Sequence, residues 1–204
     1  EGRKVLDPGI AFIISDILSD NGARTQAFGS NSVLNVPGKT VAVKTGTTDE
    51  KRDNWTVGYT PSFVVGVWVG NNDNSIMSSI VASGVTGASP VWNKIMKVAL
   101  KDKPNESFER PGNVVQVEVD GLMNGKPHGG SPTRKEYFIA GTEPKNESGN
   151  YQRRKVCKSN PHRLANDNED NEEKDVIVLQ ENDPTGADKW QKGIDEWVVT
   201  AADP

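Results

Sequence analysis

One unbroken apolar segment constrains the fold of this chain more than any other feature: residues 63 to 70 read FVVGVWVG. A run of this kind, rich in β-branched residues, is typical of a strand that is covered on both faces. The chain must therefore supply further layers of structure to bury it. Two more strands are predicted shortly before it, at Val41 to Thr48 and Trp55 to Thr60. Because the joins between the three are short, we expect an antiparallel meander, with the first strand at the centre of a sheet.

Two helices are predicted to cover this sheet. The first spans residues 7 to 22, with Asp7 as N-cap, Pro8 at the first helical position and Gly22 just past the end. The second runs from Ser89 to Lys101, with Ser89 as its cap. The apolar residues expected to face inward are Ile10, Ile13, Ile14, Ile17 and Leu18 in the first helix, and Val91, Trp92, Ile95, Met96, Ala99 and Leu100 in the second.

Composition excludes several classes of function. The 204 residues carry 24 basic and 28 acidic side chains, which are interspersed, so the chain offers no basic stripe for nucleic acid. The single cysteine, Cys157, has no internal disulfide partner. The two histidines, His128 and His162, lie far apart and are read as solvated loop residues, which predicts no metal site and no cofactor. The ending of Pro37-Gly38-Lys39-Thr40 is that of a phosphate-binding loop, but the first glycine of that motif is missing.

A second domain is predicted from residue 102 onward, which divides the chain into 1–101 and 102–204. Prolines and charges interrupt both periodicities between residues 102 and 112, and short alternating segments follow at 114–119, 137–140 and 176–179. We expect a small β-rich module with a disordered acidic loop near residues 158–175. A closing helix is predicted at 188–200. Its inward side chains are expected to be Trp190, Ile194, Trp197 and Val198.

The first predicted strand ends in Lys44-Thr45-Gly46-Thr47-Thr48, where an apolar segment changes abruptly to polar residues. This run offers an ammonium group, hydroxyl donors and backbone N–H groups that a glycine leaves open to a ligand. Such a set can receive a carboxylate or an oxyanion. The tripeptide Lys44-Thr45-Gly46 alone has a second interpretation, in which it is an ordinary strand end followed by a glycine turn.

The longer string from Lys44 to Thr48, followed by Asp53-Asn54-Trp55-Thr56-Val57-Gly58-Tyr59-Thr60-Pro61, resembles the third motif and following strand of the penicillin-binding protein transpeptidases. In that family a KTG strand accompanies an S-x-x-K nucleophile motif and an S-x-N motif. Residues 83 to 90 resemble the turn that leads into the last helix of the same domain. Residues 108 to 119 and 136 to 144 resemble the segment that trails it in bifunctional, class A members.

The resemblance implies a fold and an activity. The fold is α+β: a partial transpeptidase domain of the penicillin-binding and β-lactamase type, followed by the β-rich module. The activity is peptidoglycan D,D-transpeptidation, in which a serine attacks the stem peptide, forms an acyl-enzyme and can be trapped by β-lactams. Lys44 supplies charge and Thr47 an oxyanion donor, and the substrate-binding residues are Thr45, Gly46 and Thr48. Trp55 is expected to pack rather than to take part in chemistry.

The chain departs from the family at the nucleophile. No serine is followed three places later by lysine, and the nearest string, Thr48-Asp49-Glu50-Lys51, begins with the wrong residue. Ser19-Asp20-Asn21 has the letters of the second motif but falls at a predicted helix end, where these residues are common. We therefore expect the nucleophile half, any glycosyltransferase domain and the membrane anchor to lie upstream of Glu1. The parent protein is then expected at the extracytoplasmic face of a bacterial membrane.

Two consequences and two alternatives follow. The chain by itself is expected to be inactive, and exposed sheet and helix faces favour self-association or pairing with the upstream half of the polypeptide.

A function of a different class is a non-catalytic module in which residues 102–204 bind cell-wall polymer or a protein. An exposed patch with Trp190 and Trp197 favours that alternative. A plain β-rich scaffold explains everything except the KTG string.

Overall fold

The computed structural model describes residues 3–123, 125–165, 168–178, 184–187 and 189–200; of residues 162, 163 and 195–200 it describes only the backbone. The chain forms two compact units. The first comprises Glu1–Val115 and Tyr137–Gly141, and the second comprises Gln116–Glu136 and Thr142–Pro204. The predicted mixture of helices and antiparallel strands is confirmed.

The helices and strands follow one another along the chain with short connections. In the first unit they are α1 (Pro8–Ser19), α2 (Thr25–Phe28), β1 (Ala42–Thr47), a 3-10 turn (Asp49–Lys51), β2 (Asp53–Tyr59), β3 (Val64–Gly70) and α3 (Ala88–Leu100). Further along the chain, the strands and helix are β4 (Val114–Asp120), β5 (Thr133–Ile139), β6 (Tyr151–Cys157), β7 (Asn160–Leu164), β8 (Asn171–Ile177) and α4 (Lys189–Thr200). The sheets have the orders β1-β2-β3, β4-β5 and β7-β6-β8.

The core of the first unit lies between the three-stranded sheet and α3. Trp92 and Met96 of α3 are fully buried there. A Cβ atom at Gly58 of β2 would lie 2.3 Å from the Trp92 ring, so the missing side chain is what lets the helix approach the sheet. The remaining buried members of this core are Leu34, Val36, Val41, Val43, Val65 and Leu100.

The sheet differs from the prediction in how it is covered. β1 lies at an edge of the sheet, not at its centre, because β2 is the one described strand that pairs with it. The apolar run on β3 is buried on one face only: Val65 is buried, whereas Val64 and Trp68 are 66% and 42% exposed. The sequence predicted too much burial for β3, because an apolar strand has the same residue pattern whether one of its faces is covered or both. Among the described residues, α3 covers one face, whereas α1 covers only one end of the other, where Ser15 bonds to Tyr59 at 3.0 Å and Ala42 is fully buried.

α1 and α3 begin nearly where predicted, but α1 turns a different face inward. Asp7 caps α1 by accepting the Gly9 N–H at 2.8 Å, as predicted. The buried side is formed by Gly9, Phe12 and Ser15, whereas Ile10, Ile14 and Ile17 are exposed. Phe12 packs edge-on against Tyr137 at 5.1 Å between ring centroids. That aromatic contact between residues distant in sequence decides which face is buried.

α3 differs from its prediction in its cap and in part of its inward face. The helix begins at Ala88, and Ser89 does not cap it; its hydroxyl instead bonds to that of Thr56 at 2.9 Å. Trp92, Met96 and Leu100 are buried as expected. Val91 and Ile95, which were also expected inside, are exposed.

The first unit extends beyond the expected boundary at residue 101. Asn105 accepts the Thr40 N–H at 2.7 Å, Glu106 accepts the Ser62 hydroxyl at 2.7 Å, and Phe108 packs edge-on against Tyr59. These contacts attach residues 105–108 to the first unit. Prolines and charges suggested a domain boundary there, but they give no information on such side-chain contacts.

Much of the expected disordered loop near residues 158–175 is strand. β7 and β8 occupy Asn160–Leu164 and Asn171–Ile177 and flank β6 on either side. The acidic β8 lies beside the basic β6, with Lys155 opposite Glu173 and Arg153 opposite Asp175. Opposite charges in register favour the pairing that the charge density alone argued against. Residues 166 and 167 of this segment and Leu179 lie outside the described residues.

α4 is present over Lys189–Thr200, where a closing helix was predicted. Trp190 was expected to face inward, but 55% of it is exposed. The side chains of Trp197 and Val198 lie outside the described residues. None of the described helices combines the length and the apolarity needed to cross a bilayer.

Candidate active site

The polar end of β1 is the region in which the sequence predicts chemistry. β1 and β2 pair with Lys44 opposite Val57, Gly46 opposite Trp55, and Thr47 opposite Asn54. Directly opposed residues have their side chains on the same face of a sheet. Lys44 therefore shares the exposed face of the sheet with Trp55 and Val57, and Gly46, opposite Trp55, adds no side chain to that face.

The edge position of β1 leaves part of its backbone open. Thr48 N–H donates to Asp53 O at 3.1 Å, across the hairpin that joins β1 to β2. Because successive N–H groups of a strand point in opposite directions, the Thr47 N–H points away from β2, toward the open edge. None of the described strands pairs with that edge.

The Lys44 ammonium group is exposed, and one bond to it is found among the described residues. It donates to the backbone carbonyl of Thr45 at 2.6 Å. An ammonium group has three donors, so two are left for a ligand. The contact places the positive charge next to the Thr45-Gly46-Thr47 backbone.

The Thr47 hydroxyl is held by a turn from a distant part of the chain. The backbone N–H of Gly84 donates to Thr47 Oγ1 at 3.1 Å. A hydroxyl has one proton, and an oxygen that accepts a bond from an N–H can still donate that proton to a ligand. A Cβ atom at Gly84 would lie 2.9 Å from Thr45 Cβ and 3.4 Å from Gly46 O, which shows how closely this turn approaches β1.

Thr48, in contrast, uses its hydroxyl within the β1–β2 hairpin. Thr48 Oγ1 accepts the Asp53 N–H at 2.9 Å and donates to Asp53 O at 3.1 Å. Both functions of the hydroxyl are thereby engaged. Of the five predicted site residues, the structure places Lys44, Thr45, Gly46 and Thr47 along the open strand and Thr48 in the hairpin.

The aromatic side chains beside this strand form an exposed pair. Trp55 and Trp68 lie directly opposite each other on β2 and β3, and they are 47% and 42% exposed. The Trp68 indole N–H donates to Asp53 Oδ2 at 3.0 Å. Trp55 was expected to pack rather than to take part in chemistry, and within the described residues it lies beside Trp68 on the sheet surface.

The Ser19-Asp20-Asn21 string has local bonds at the end of α1. The Ser19 hydroxyl donates to Asp16 O at 3.1 Å, and Asp20 accepts the Ala23 N–H at 2.9 Å. These are typical contacts of a helix end and agree with the structural interpretation of this string.

A polar cluster in the second unit was not predicted. His128 bonds through Nδ1 to Glu147 at 2.8 Å and stacks on Tyr151 at 3.9 Å, so it is not the solvated loop residue that its Pro/Gly-rich surroundings suggested. The Tyr151 hydroxyl donates to Asp120 at 2.8 Å and bonds with Ser131 at 2.7 Å. No sequence signal was available for contacts between segments this far apart.

The pKa of the Asp120 carboxyl group in this cluster departs from its usual value. Burial raises its pKa, but the hydrogen bonds from Met123 N–H, from Tyr151 and from Leu122 N–H outweigh burial and lower the pKa to about 2. Burial raises the pKa of Tyr151. Across the described residues, no three His, Cys, Asp or Glu side chains are placed to hold a metal ion.

Comparison with known proteins identifies relatives for most of the chain. Penicillin-binding protein 1A of Haemophilus influenzae is 32% identical over 149 residues, which are 69% of this chain and 17% of that protein. Penicillin-binding protein 2D of Bacillus subtilis is 32% identical over 152 residues, 71% of this chain and 21% of the relative. Penicillin-binding protein 1A of Aquifex aeolicus is 39% identical over 107 residues, 51% and 14% respectively.

A 2.6 Å crystal structure of the H. influenzae protein aligns with this chain at 35% identity and a TM-score of 0.49. The alignment covers 53% of this chain and 16% of the chain in that crystal structure. A scan against protein-family models gave no match. The chain spans about a fifth of the length of the curated relatives it matches. Over about 70% of its length, the chain is thus a homologue of the penicillin-binding proteins, as the residues around Lys44 predicted.

Proposed function

We propose that the open edge of β1 is the substrate-binding edge of a serine D,D-transpeptidase that cross-links peptidoglycan stem peptides and is acylated by β-lactams. The observation that carries this proposal is the Thr47 hydroxyl, which Gly84 N–H holds on the open strand three positions after Lys44. Homology to penicillin-binding proteins supports the same assignment. The reaction transfers an acyl group from the terminal D-alanine linkage to a serine and then to an amine.

Each residue of the edge has a separate part in this proposal. Lys44 supplies positive charge near the nucleophile and the substrate. The Thr45 and Thr47 hydroxyls bind the terminal carboxylate, and Gly46 leaves room for the substrate backbone. The Thr47 N–H, which points to the open edge, donates to the oxyanion of the tetrahedral intermediate. Losing one such donor costs about 3 kcal/mol of transition-state stabilisation.

The attacking serine belongs, in this proposal, to residues other than these 204. None of the serines in this sequence is followed three places later by lysine. The relatives match this chain over only 14% to 21% of their length. The proposal therefore pairs the β1 edge with an S-x-x-K segment of the same polypeptide, which is anchored at the extracytoplasmic face of the membrane.

Intact-mass analysis after incubation with a reactive penicillin tests this assignment. We expect an adduct on a longer polypeptide that includes the S-x-x-K segment, and none on the 204-residue chain. In the longer protein, Lys44→Gln should slow adduct formation by at least ten-fold. Lys51→Gln is the matched control, because Lys51 lies on the exposed 3-10 turn of the neighbouring hairpin, and it should leave the rate unchanged.

Two results contradict the proposal. A folded longer protein that forms no adduct excludes transpeptidation. An adduct on the 204-residue chain shows that one of its own serines is the nucleophile, which returns attention to Ser19.

One observation favours the second candidate function, a binding module in residues 102–204. Trp190 on α4 is 55% exposed, as expected of a residue that contacts a partner. Sedimentation with purified peptidoglycan tests this function: Trp190→Ala should lower the bound fraction of the full-length protein, whereas Lys44→Gln should not. Equal binding by wild type and Trp190→Ala contradicts it.

A further inference from the structure

The turn at Ser83–Gly87 brings a backbone donor to the β1 edge. Gly84 N–H bonds to Thr47 Oγ1 at 3.1 Å, across 37 positions of sequence. No second partner of the Thr47 hydroxyl is found in the part of the chain that the structure describes. The oxygen is thus occupied as an acceptor while its proton is free, so the hydroxyl presents a donor to whatever binds at the edge.

Only glycine fits at position 84. A Cβ atom there would lie 2.9 Å from Thr45 Cβ, 3.3 Å from Trp55 O and 3.4 Å from Gly46 O. Two of these three atoms belong to backbone carbonyls on paired strands, which cannot move independently. A side chain at residue 84 would therefore push the turn away from β1 and lengthen the bond to Thr47.

Buried polar contacts with β2 and with the start of α3 hold this turn in place. Asn54 is fully buried on β2; its amide donates to Val81 O at 2.8 Å and its carbonyl accepts Ala88 N–H at 2.9 Å. Ser89 N–H donates to Gly84 O at 2.9 Å. Residue 84 is thereby fixed to β2 and to the start of α3, so that its N–H has one orientation relative to β1.

We infer that Gly84 is a positioning residue that orients the Thr47 hydroxyl as a donor and so selects a ligand with an anionic oxygen, a carboxylate, at this edge. The inference rests on the proposed function and extends it to a turn that the KTG string does not contain. Gly84 does not touch the substrate in this arrangement. It acts through Thr47, so its effect should disappear when the Thr47 hydroxyl is absent.

A double-mutant cycle in the full-length protein tests this coupling. Acylation by benzylpenicillin, which carries a carboxylate, is measured for wild type, Gly84→Ala, Thr47→Val and the double variant. Gly84→Ala should reduce the second-order rate by about ten-fold, as expected for a lost or distorted hydrogen bond to a charged ligand, and mainly through weaker initial binding. In the Thr47→Val background the same substitution should have almost no further effect. Gly112→Ala is the control, because a Cβ atom there meets nothing within 4 Å.

Each result has a distinct meaning. If wild type forms no adduct, the proposed function fails, and this inference with it. If wild type reacts and Gly84→Ala reacts at the same rate, or if the two substitutions are additive, the inference alone is overturned.

Hydrogen exchange at the Gly84 amide measures the bond itself and does not depend on catalysis or on the folding of Gly84→Ala. Exchange should be at least five-fold faster in Thr47→Val than in wild type, because the substitution removes the acceptor, and Thr47→Ser should restore protection. Equal exchange in wild type and Thr47→Val overturns the inference.

Discussion

At Thr48 the hydroxyl closes the hairpin between β1 and β2, although its place in the KTG string suggests a ligand contact. Both its donor and its acceptor functions are engaged with the Asp53 backbone. We expect Thr48→Val to lower the free energy of unfolding by about 1 kcal/mol, the usual net contribution of a hydrogen bond. The rate of acylation of the full-length protein should change by less than two-fold. A ten-fold loss of the acylation rate at unchanged stability would show instead that Thr48 is one of the substrate-binding residues.

Gly58 illustrates a residue whose importance lies in the absence of a side chain. The Trp92 ring would lie 2.3 Å from a Cβ atom at this position. Gly58→Ala should lower the free energy of unfolding by about 1–3 kcal/mol, because overpacking displaces the ring. Gly66→Ala is the control, since its nearest contact is Val57 Cγ2 at 3.8 Å, and it should change stability by less than about 0.5 kcal/mol in urea denaturation. Equal effects at both positions would contradict this account of the core.

The sequence revealed some of these residues and concealed others for a physical reason. Lys44 to Thr48 form a continuous string, so their pattern is visible without a structure. Gly84 reaches the same strand only through the folded chain, and nothing near it in sequence indicates a contact with Thr47. The bond between His128 and Glu147 is similar, because it joins two loops.

At the scale of whole elements, local patterns predicted where helices and strands occur better than which face they bury. Both α1 and α3 form nearly where their start and stop residues predict. Yet Ile14 of α1 and Ile95 of α3 are exposed, because tertiary contacts of Phe12 and Trp92 select the inward side. Periodicity defines an apolar stripe, but the neighbouring elements decide what covers it.

β6 and β8 form an element pair in which charge register matters. Glu173 lies opposite Lys155 and is 3.6 Å from Arg153, whereas Lys174 lies opposite Arg154, another cation. Glu173→Lys should therefore lower the free energy of unfolding of the second unit by about 0.5–1 kcal/mol. Lys174→Glu removes the like-charge pair with Arg154 but also the ion pair of Lys174 with Glu172 at 2.5 Å, so its net effect should be smaller than that of Glu173→Lys. Both effects should shrink in 1 M salt, and destabilisation that persists there would contradict an electrostatic origin.

At the scale of the whole molecule, acid should destabilise both units, and in the second unit the effect can be traced to one carboxyl group. The pKa of Asp120 in the second unit is lowered from 3.8 to about 2, so the folded state binds the proton more weakly than the unfolded state. The resulting stability is present above about pH 4 and is lost as the pH falls from about 4 toward 2. In the first unit, hydrogen bonds also lower the pKa of Asp7, Asp73 and Glu106, so acid should weaken that unit as well.

Cys157 provides a reporter for this acid response. It is the single cysteine of the chain, lies in the second unit and is 4% exposed, so a thiol reagent reaches it only when that unit opens. Labelling with dithiodipyridine, which reacts in acid, should accelerate as the pH falls from 4 to 2. In Asp120→Asn the stability should be lower at neutral pH, because the charged acceptor for Tyr151 is lost, but labelling should vary much less between pH 4 and 2. If wild type and Asp120→Asn respond identically to acid, the ionised Asp120 carboxylate does not stabilise the second unit.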